Sequence, residues 1–479
     1  MFMNSVWQQF TLSSLPLQEW RRASYLHRSV VGLFSTWRQG SWLMQWSEAL
    51  AALLVSLVFA LAPFVSNDLI GVLLFACASF WVLLTLTDER RYASERANTL
   101  TPIHLLVLLY WGISTVATAL SPVKAAAFVG WQKLTLYLVL FALTARILRS
   151  PRIRSWLITL YLHVALIVSI YGLQQWFYGA NALATWVDTQ SNLTRITRVY
   201  SYLGNPNLLA GYLLPAVVLS LVAVFAWQRW VPKLLALTMF GVNSACLVLT
   251  FSRGGWMGLL VAIFAVLVLL VYVLSVHFPP FWRTWSLPLL IGGVTLVLVG
   301  GVLFVEPIRD RFLSIFAGRG DSSNNFRINV WIAVIEMIKD RPILGIGPGN
   351  TAFNKIYPLY QLPRYNALSA YSILLEVAVE TGLVGLACLL WLLVVTFNSG
   401  LQQLRRLRQT GSREAFWLIG AIAALFGTLV HNIADTVWYR PEINTIWWFM
   451  VAIIASYYAA PVTRSDLLAN SSFNRGSDS

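Results

Sequence analysis

The chain has 479 residues, of which 58% are apolar and 11% are charged, and its mean hydropathy is +0.67. Soluble globular proteins are about 45–50% apolar and about 25% charged, so this composition excludes a soluble enzyme, a disordered protein and a disulfide scaffold. The net charge of +15 would indicate nucleic-acid binding in a soluble protein. In a membrane protein, an excess of Lys and Arg instead marks cytoplasmic loops. We therefore expect an all-α, polytopic helical membrane protein and no nucleic-acid partner.

Long apolar stretches follow one another along most of the chain, and a transmembrane helix needs about 20 such residues. Cys77, Cys246 and Cys388 all fall inside these stretches, so we expect packing residues, not disulfides or metal ligands. Twelve spans are predicted, at 48–66, 69–87, 102–120, 125–145, 156–177, 208–227, 233–251, 255–276, 286–305, 383–399, 415–434 and 443–460.

The positive charges predict the orientation of these spans. With the N-terminus inside, the inner segments hold twenty Lys and Arg. The short outer loops hold only Lys124, Arg195, Arg198, Arg253 and Arg440. Because short cytoplasmic loops are enriched in Lys and Arg, both termini are expected in the cytoplasm and the protein in the plasma (inner) membrane.

This topology divides the chain into five segments. The first 46 residues show no apolar core of the signal-peptide type, so we expect them to stay attached. The predicted segments are a cytoplasmic N-terminal segment (1–47), spans 1–9 (48–305), a large outer, periplasmic or lumenal, loop (306–382), spans 10–12 (383–460) and a cytoplasmic tail (461–479).

The outer loop is too long for a structureless connection in a compact protein. Apolar residues recur at helical spacing from Phe326 to Ile338, which predicts a helix that lies on the membrane or caps the bundle. A Pro- and Gly-rich run at 341–350 should end that helix. A second helical stretch is expected from about residue 367 through Glu376 and Glu380 into span 10.

Four arginines are predicted at the outer face: Arg195, Arg198, Arg253 and Arg327. Guanidinium groups bind oxyanions through paired hydrogen bonds, so these residues predict a site for bicarbonate, phosphate or a lipid diphosphate. The alternative is that each arginine anchors to headgroups or pairs with a carboxylate.

Two of these arginines stand near predicted helix starts. Asn205 is a good N-cap before Pro206 and Asn207, and Ser252 precedes Arg253 and two glycines. Free N–H groups at a helix N-terminus attract anions. The same residues are explained without any ligand if they only begin their helices.

Deeper in the spans, His431 and Asp435 are spaced to share one helix face. They predict either a pair for proton or ion coupling or a hydrogen-bonded pair that fixes helix packing. Lys133 lies within span 4. The five histidines lack metal-ligand spacing, and no phosphate-binding Gly-Lys-Ser/Thr loop occurs, so we expect no metal, no cofactor and no ATP hydrolysis.

Several motifs, taken together, resemble the O-antigen ligase and polymerase superfamily over roughly residues 195–400. The branch that the sequence resembles most is the cyanobacterial inorganic-carbon accumulation branch, through its basic-aromatic N-terminal segment and residues 368–373. The superfamily motifs are Arg198, Gly204-Asn205-Pro206-Asn207, Ser252-Arg253-Gly254, Arg327 with Trp331, Pro342-x-x-Gly345-x-Gly347-x-Gly349-Asn350 and Glu380-Thr381-Gly382-Leu383-Val384-Gly385.

One departure bears on the chemistry that this resemblance implies. Ligases of the superfamily carry a His-Asn pair nine residues before the motif glutamate, and the histidine is thought to activate the acceptor hydroxyl. Here those positions are Tyr371 and Ser372, and no histidine occurs in 306–382. A tyrosine, with a pKa near 10, is a poor base at neutral pH, which favours binding or transport over transfer.

The resemblance implies uptake or accumulation of inorganic carbon, with bicarbonate bound at the outer face. The expected substrate-binding residues are Arg198, Asn205, Asn207, Ser252, Arg253 and Arg327. Tyr371, Glu376 and Glu380 are candidates for a catalytic or gating role, and His431 and Asp435 for ion coupling. The alternative is a metal-independent ligase or polymerase that moves a glycan from a lipid diphosphate carrier. A non-catalytic membrane partner is a third possibility. The expected partners are membrane lipids and a small anion or a lipid-linked glycan.

Overall fold

A computed structural model describes residues 2–88, 100–180, 198–304, 309, 318–320, 322–435 and 437–459. The regular structure of these residues is entirely helical, which confirms the all-α prediction. The helices are α1 (Phe2–Phe10), α2 (Leu17–Ala23), α3 (Tyr25–Val30), α4 (Ser35–Gly40), α5 (Trp42–Gln45), α6 (Ser47–Leu61), α7 (Asn67–Thr87), α8 (Pro102–Ala119), α9 (Lys124–Ile147), α10 (Pro151–Tyr178), α11 (Pro206–Ala226), α12 (Trp230–Val248), α13 (Arg253–Leu274), α14 (Pro280–Phe304), α15 (Ser322–Asp340), α16 (Asn350–Ile356), α17 (Ile373–Gln409), α18 (Glu414–Ile433) and α19 (Pro441–Ser456).

Each predicted span coincides with one of these helices. In the part of the chain that the structure describes, nine helices are long and apolar enough to cross a membrane, namely α7 to α13, α17 and α18. The first span is shorter than predicted, because α6 ends at Leu61 and not at residue 66. Pro63 lacks the N–H group that would continue the helix.

The loops alternate between two ends of the helix bundle. We call the end that carries the residues of the long loop the loop end and the other the far end. Loop-end contacts join Phe64 to Tyr202, Arg198 to Thr250, and Arg341 to Leu120. Far-end contacts join Arg146 to Asp88, Arg154 to Glu414, and Arg408 to Ser275. The alternation agrees with the twelve-span topology, while the compartment that each end faces stays a prediction.

The centre of the bundle is formed by α11 and α18. Most of α11 is buried, and α18 packs against both α11 and α13. Gly258 of α13 faces Gly427 of α18, where an added Cβ would meet the opposite backbone carbonyl at 2.5 Å in either direction. Small residues of this kind let membrane helices approach closely. This contact fixes the N-terminal part of α13 beside the last turns of α18.

The long loop caps the bundle through a small apolar core of its own. Val330 and Val334 of α15 are buried with Phe353 of α16 and Tyr357. The predicted loop helix is confirmed as α15, which ends at Asp340 just before the Pro- and Gly-rich run. The second predicted helix begins at Ile373, not at about 367.

A kink at Gly382 joins the loop to the bundle. Gly382 has φ 71° and ψ −177° inside α17, a conformation that is essentially restricted to glycine. The backbone of the Pro- and Gly-rich run bonds to this kink: Ile346 N donates to Val379 O at 2.9 Å, Gly347 N to Glu380 O at 2.8 Å, and Leu383 N to Pro342 O at 2.7 Å. The kink therefore holds the motif against the start of α17.

Candidate functional site

Arg198 is fixed at the loop end by two hydrogen bonds. Its Nε donates to the carbonyl oxygen of Thr250 at 2.9 Å, and its Nη2 donates to Asn207 Oδ1 at 3.3 Å. Asn205 caps α11, because its side chain accepts a bond from the backbone N–H of Asn207 at 2.8 Å. The Asn-Pro-Asn motif therefore begins the helix and also supplies a partner to the arginine.

Arg253 is the first residue of α13, one position after the N-cap. Ser252 Oγ accepts a hydrogen bond from the Gly255 backbone N–H at 3.2 Å. Thr250, whose carbonyl oxygen binds Arg198, lies in the turn just before Arg253. The segments that carry the two arginines are therefore neighbours. Arg195 lies outside the described residues.

Arg327, in the second turn of α15, pairs with a carboxylate from a distant part of the chain. Its Nη2 lies 3.5 Å from Asp435 Oδ2, and its Nη1 donates to Ser323 Oγ at 2.7 Å. The Nε of Arg327 and the Nε1 of Trp331, one turn later, are buried and have no hydrogen-bond partner among the described residues. One face of α15 therefore carries two buried N–H donors that no acceptor among the described residues satisfies.

His431 is fully buried beside the N-terminus of α13. A Cβ added to Gly254 would lie 2.7 Å from His431 Cδ2, and one added to Gly258 would lie 3.2 Å from His431 Cβ. Neither ring nitrogen has a hydrogen-bond partner among the described residues. The predicted helical pairing with Asp435 is not formed, because α18 ends at Ile433 and Asp435 turns to Arg327. A role of His431 and Asp435 in ion coupling stays a prediction.

These contacts form a continuous series at the loop end. Arg198 contacts Thr250, the following turn leads to Arg253 and Gly254, Gly254 packs on His431, and Asp435 pairs with Arg327. Four segments that are far apart in sequence are thus joined. We call Arg198, Arg253 and Arg327 the outer arginines. Binding of one common anion by their guanidinium groups stays a proposal.

Tyr371 occupies the position of the missing histidine and stands next to this series. Its ring packs edge-on against Phe326 with centroids 5.5 Å apart, and its backbone has a φ of 51°. Burial raises the pKa of Tyr371 above its ordinary value, and the nearby carboxylate of Asp435 raises this pKa further. This direction favours the protonated phenol at neutral pH, in which form Tyr371 donates a hydrogen bond; its role stays a prediction.

Glu376 and Glu380 lie one turn apart at the start of α17, on the side of the Pro- and Gly-rich run. Glu376 Oε2 accepts a hydrogen bond from the Ala370 backbone N–H at 2.6 Å, and Glu380 Oε1 accepts one from the Gly349 N–H at 2.8 Å. Glu376 Oε1 is buried without a partner among the described residues. Both carboxylates line the same cavity.

That cavity has a volume of about 370 Å³ and enters the bundle from the loop end. It lies between α7, α8, α9, the start of α17 and the segment that leads into α19. Its walls include Tyr110, Lys133, Tyr137, Asn350, Trp438, Tyr439, Arg440 and Asn444.

Residues 237–390 match the family model of O-antigen ligase. The matched stretch runs from α12 into α17 and includes Arg253, Arg327, Tyr371, Glu376 and Glu380. It supports the resemblance to the O-antigen ligase superfamily, and with the helices it supports an O-antigen ligase-like integral membrane protein. The inorganic-carbon branch is not confirmed. A comparison with curated proteins found no match.

Sequence reasoning missed most of the cavity. The sequence indicates Lys133 as a charge within a span and Arg440 as a positive charge in an outer loop, and it places neither in a cavity. Tyr110, Tyr137 and Asn444 carry no local signal, because single polar aromatic or amide residues in apolar helices are common. Only the packing of three distant helices reveals that they share a wall.

Proposed function

We propose that the protein transfers a glycan from a lipid diphosphate carrier to an acceptor hydroxyl at the loop end of the bundle. One observation carries the proposal: Arg327 and Trp331 hold two buried N–H donors that have no partner among the described residues, in a stretch that matches O-antigen ligase. A buried donor without an acceptor is destabilising. A diphosphate, with its many acceptor oxygens, would supply what these donors lack after small side-chain movements.

The outer arginines suit a diphosphate for two further reasons. Arg198 and Arg253 stand beside the N-termini of α11 and α13, where the helix dipole favours negative charge. A planar guanidinium binds phosphate through two parallel hydrogen bonds, which an ammonium group cannot do. Pairing with Asp435 would hold Arg327 in place until the carrier arrives.

In the proposed reaction, the acceptor hydroxyl oxygen attacks the anomeric carbon of the carrier-linked sugar. The new C–O bond forms as the bond from that carbon to the diphosphate breaks, and the diphosphate leaves with the bonding electrons. The outer arginines stabilise the charge that develops on the leaving group. The hydroxyl proton passes to Glu376 Oε1, which has no other partner among the described residues. Tyr371 stays protonated and orients the substrates.

Bicarbonate uptake is the second candidate. An arginine beside a helix N-terminus, as at Arg253, would hold a small planar oxyanion equally well. The neighbouring cavity favours the glycan, because about 370 Å³ falls in the range of sites for larger organic ligands, about 300–1,000 Å³. The wall also carries three carboxylates, Asp68, Glu376 and Glu380, against two cations, Lys133 and Arg440, a balance that disfavours an anion.

The test uses the full chain reconstituted in lipid vesicles. We expect it to consume an undecaprenyl diphosphate-linked oligosaccharide in the presence of a lipid-anchored glycan acceptor. Arg327→Lys should slow transfer roughly 10–150-fold, the equivalent of about 1.5–3 kcal/mol for a hydrogen bond to a charged group. Arg341→Lys, at an exposed residue just after α15, is the matched control and should transfer normally.

Two results would decide against transfer. Vesicles that accumulate bicarbonate and leave the carrier untouched would favour the second candidate. A deletion strain with a normal surface glycan profile and impaired carbon uptake would point the same way. The proposal also places the protein in the plasma membrane with both termini in the cytoplasm, since lipid-linked glycans of this kind are used on the outer side.

A further inference from the structure

Four residues in the wall of the 370 Å³ cavity carry buried polar atoms that have no hydrogen-bond partner in the described part of the chain. These atoms are Glu376 Oε1, Trp438 Nε1, Arg440 Nε and Asn444 Oδ1. Native proteins leave few buried polar atoms unpaired, and each exception calls for an explanation. Four exceptions around one cavity point to a molecule that pairs with them.

Trp438, Arg440 and Asn444 make other contacts that hold their segment in place, while each keeps one polar atom unpaired among the described residues. The Asn444 amide donates to the Trp438 carbonyl oxygen at 3.0 Å, and the Trp438 ring packs on Trp447 with centroids 4.7 Å apart. Arg440 Nη2 donates to Glu442 Oε1 at 3.0 Å. The segment that leads into α19 is therefore ordered before any ligand binds, which lowers the entropic cost of binding.

The chemistry of these atoms selects the class of ligand. Trp438 and Arg440 offer donors, whereas Glu376 and Asn444 offer acceptors. A hydroxyl group both donates and accepts, so a molecule with several hydroxyls can satisfy all four. Phosphate and bicarbonate are anions that offer mainly acceptors, and either would meet the negative charge of the Glu376 carboxylate. The rings of Tyr110 and Tyr137 add apolar surface for the C–H face of a sugar ring.

The position of the cavity links it to the proposed transfer. Lys133 lies nine residues after the start of α9, which is about 14 Å along the helix at 1.5 Å per residue. The cavity therefore reaches well into the bundle, and Glu376 lies in its wall near Tyr371. Most of its walls come from α7, α8, α9 and residues 438–444, outside the stretch that matches O-antigen ligase.

We propose that this cavity is a saccharide-binding site that takes the uncharged end of the acceptor glycan and presents one of its hydroxyls to Glu376. Small rotations of the wall side chains bring their unpaired atoms to the sugar hydroxyls. The acceptor role rests on the proposed transfer function, whereas binding of a free sugar does not.

The test is saturation-transfer difference NMR on the full chain in lipid nanodiscs. The probes are glucose, galactose, mannose and N-acetylglucosamine at millimolar concentration. We expect saturation transfer to at least one of them. Trp438→Phe keeps an aromatic ring, though a smaller one, and removes the N–H, and Arg440→Lys keeps the charge and removes Nε. Each should weaken binding roughly 2–10-fold, the effect of losing one hydrogen bond.

Trp285→Phe is the matched control, because Trp285 is exposed on α14, which packs on α13. This variant should bind as the wild type does. Absence of signal from every probe, or a signal that Trp438→Phe and Arg440→Lys leave unchanged, would overturn the proposal. No lipid diphosphate is present in this measurement. Sugar binding without transfer would therefore contradict only the proposed function, and transfer without sugar binding only this inference.

Discussion

The guanidinium of Arg327 lies 3.5 Å from the carboxylate of Asp435, although 108 positions separate the two residues. Arg327 belongs to the loop helix α15, and Asp435 follows the last turn of α18. Both side chains are largely withdrawn from solvent, with 17% and 8% of their surfaces exposed. This pair joins the matched ligase stretch to the buried end of α18, which carries His431.

Replacing Asp435 by Asn keeps the size of the side chain and removes its charge. We expect function to fall by about 1–2 kcal/mol, or roughly 5–30-fold, because Arg327 loses the partner that orients it. Arg327→Gln combined with Asp435→Asn should cost less than the sum of the two single changes. Transfer rates of the four proteins give this coupling, and strictly additive losses would show that the pair does not act as a unit.

Lysine at Arg198 or Arg253 should impair function strongly. Arg198 donates from Nε and Nη2 to two different acceptors, a geometry that one ammonium group does not reproduce. The expected loss is about 1.5–3 kcal/mol, or roughly 10–150-fold in apparent affinity. Lysine at the exposed residues Arg405 or Arg406, in the last turns of α17, should have no measurable effect. Equal tolerance at both ends would favour headgroup anchoring.

Phenylalanine at Tyr371 should reduce activity only modestly, by roughly the 2–10-fold that one neutral hydrogen bond accounts for. Burial raises the pKa of Tyr371 above 10, so the protonated form persists below that pH and is lost only as the pH rises beyond it. The ratio of wild-type to Tyr371→Phe activity should therefore be constant from about pH 6 to 9. A ratio that changes in this window, or complete inactivation, would make Tyr371 a base.

Alanine at Gly382 should destabilise the folded protein. Its φ of 71° with ψ of −177° is strained for any residue with a Cβ, and an added Cβ would collide with the Ile343 carbonyl. We expect a cost of at least about 1–3 kcal/mol and a lower thermal unfolding temperature in detergent. Gly292→Ala is the control, since nothing lies within 4 Å of a Cβ there. A Gly382→Ala protein as stable as this control would contradict the account of the kink.

Single cysteines test the predicted orientation. The three native cysteines are buried and free, so an introduced thiol should dominate labelling. Ser322→Cys, at the start of α15, should react with an impermeant reagent from outside intact cells, whereas Gln409→Cys, at the end of α17, should react only after permeabilisation. The reverse pattern would turn the bundle over and place the outer arginines in the cytoplasm.

The spans and their helix caps can be predicted from sequence, because each depends on residues that are close together in the chain. Long apolar stretches identified twelve helices, and Asn205 and Ser252 were recognised as helix starts since an N-cap acts within three residues. The shared helix face of His431 and Asp435 was not obtained, because α18 ends at Ile433. Asp435 pairs instead with Arg327, 108 positions away, a contact that no local spacing predicts.

The cavity could not be predicted from sequence, because it too depends on contacts between distant parts of the chain. Tyr110 and Asn444 line one cavity only because α8 and α19 pack beside the start of α17. Hydrophobic periodicity does not predict that arrangement. Lys133 carried the strongest signal, since a charge within a span is a functional hypothesis in itself. Its partners in the wall could not be named from sequence.

Three backbone hydrogen bonds join the Pro- and Gly-rich run to α17, through the carbonyl oxygen of Pro342 and the N–H groups of Ile346 and Gly347. A side chain such as Leu344, just before the first glycine, can therefore vary while these bonds persist, whereas a Cβ at Gly345, Gly347 or Gly349 would collide with a neighbouring helix. Such a motif reports the fold and not the activity. A related protein could therefore keep every glycine, lose the side chains that bind or activate the substrate, and still match the same sequence pattern.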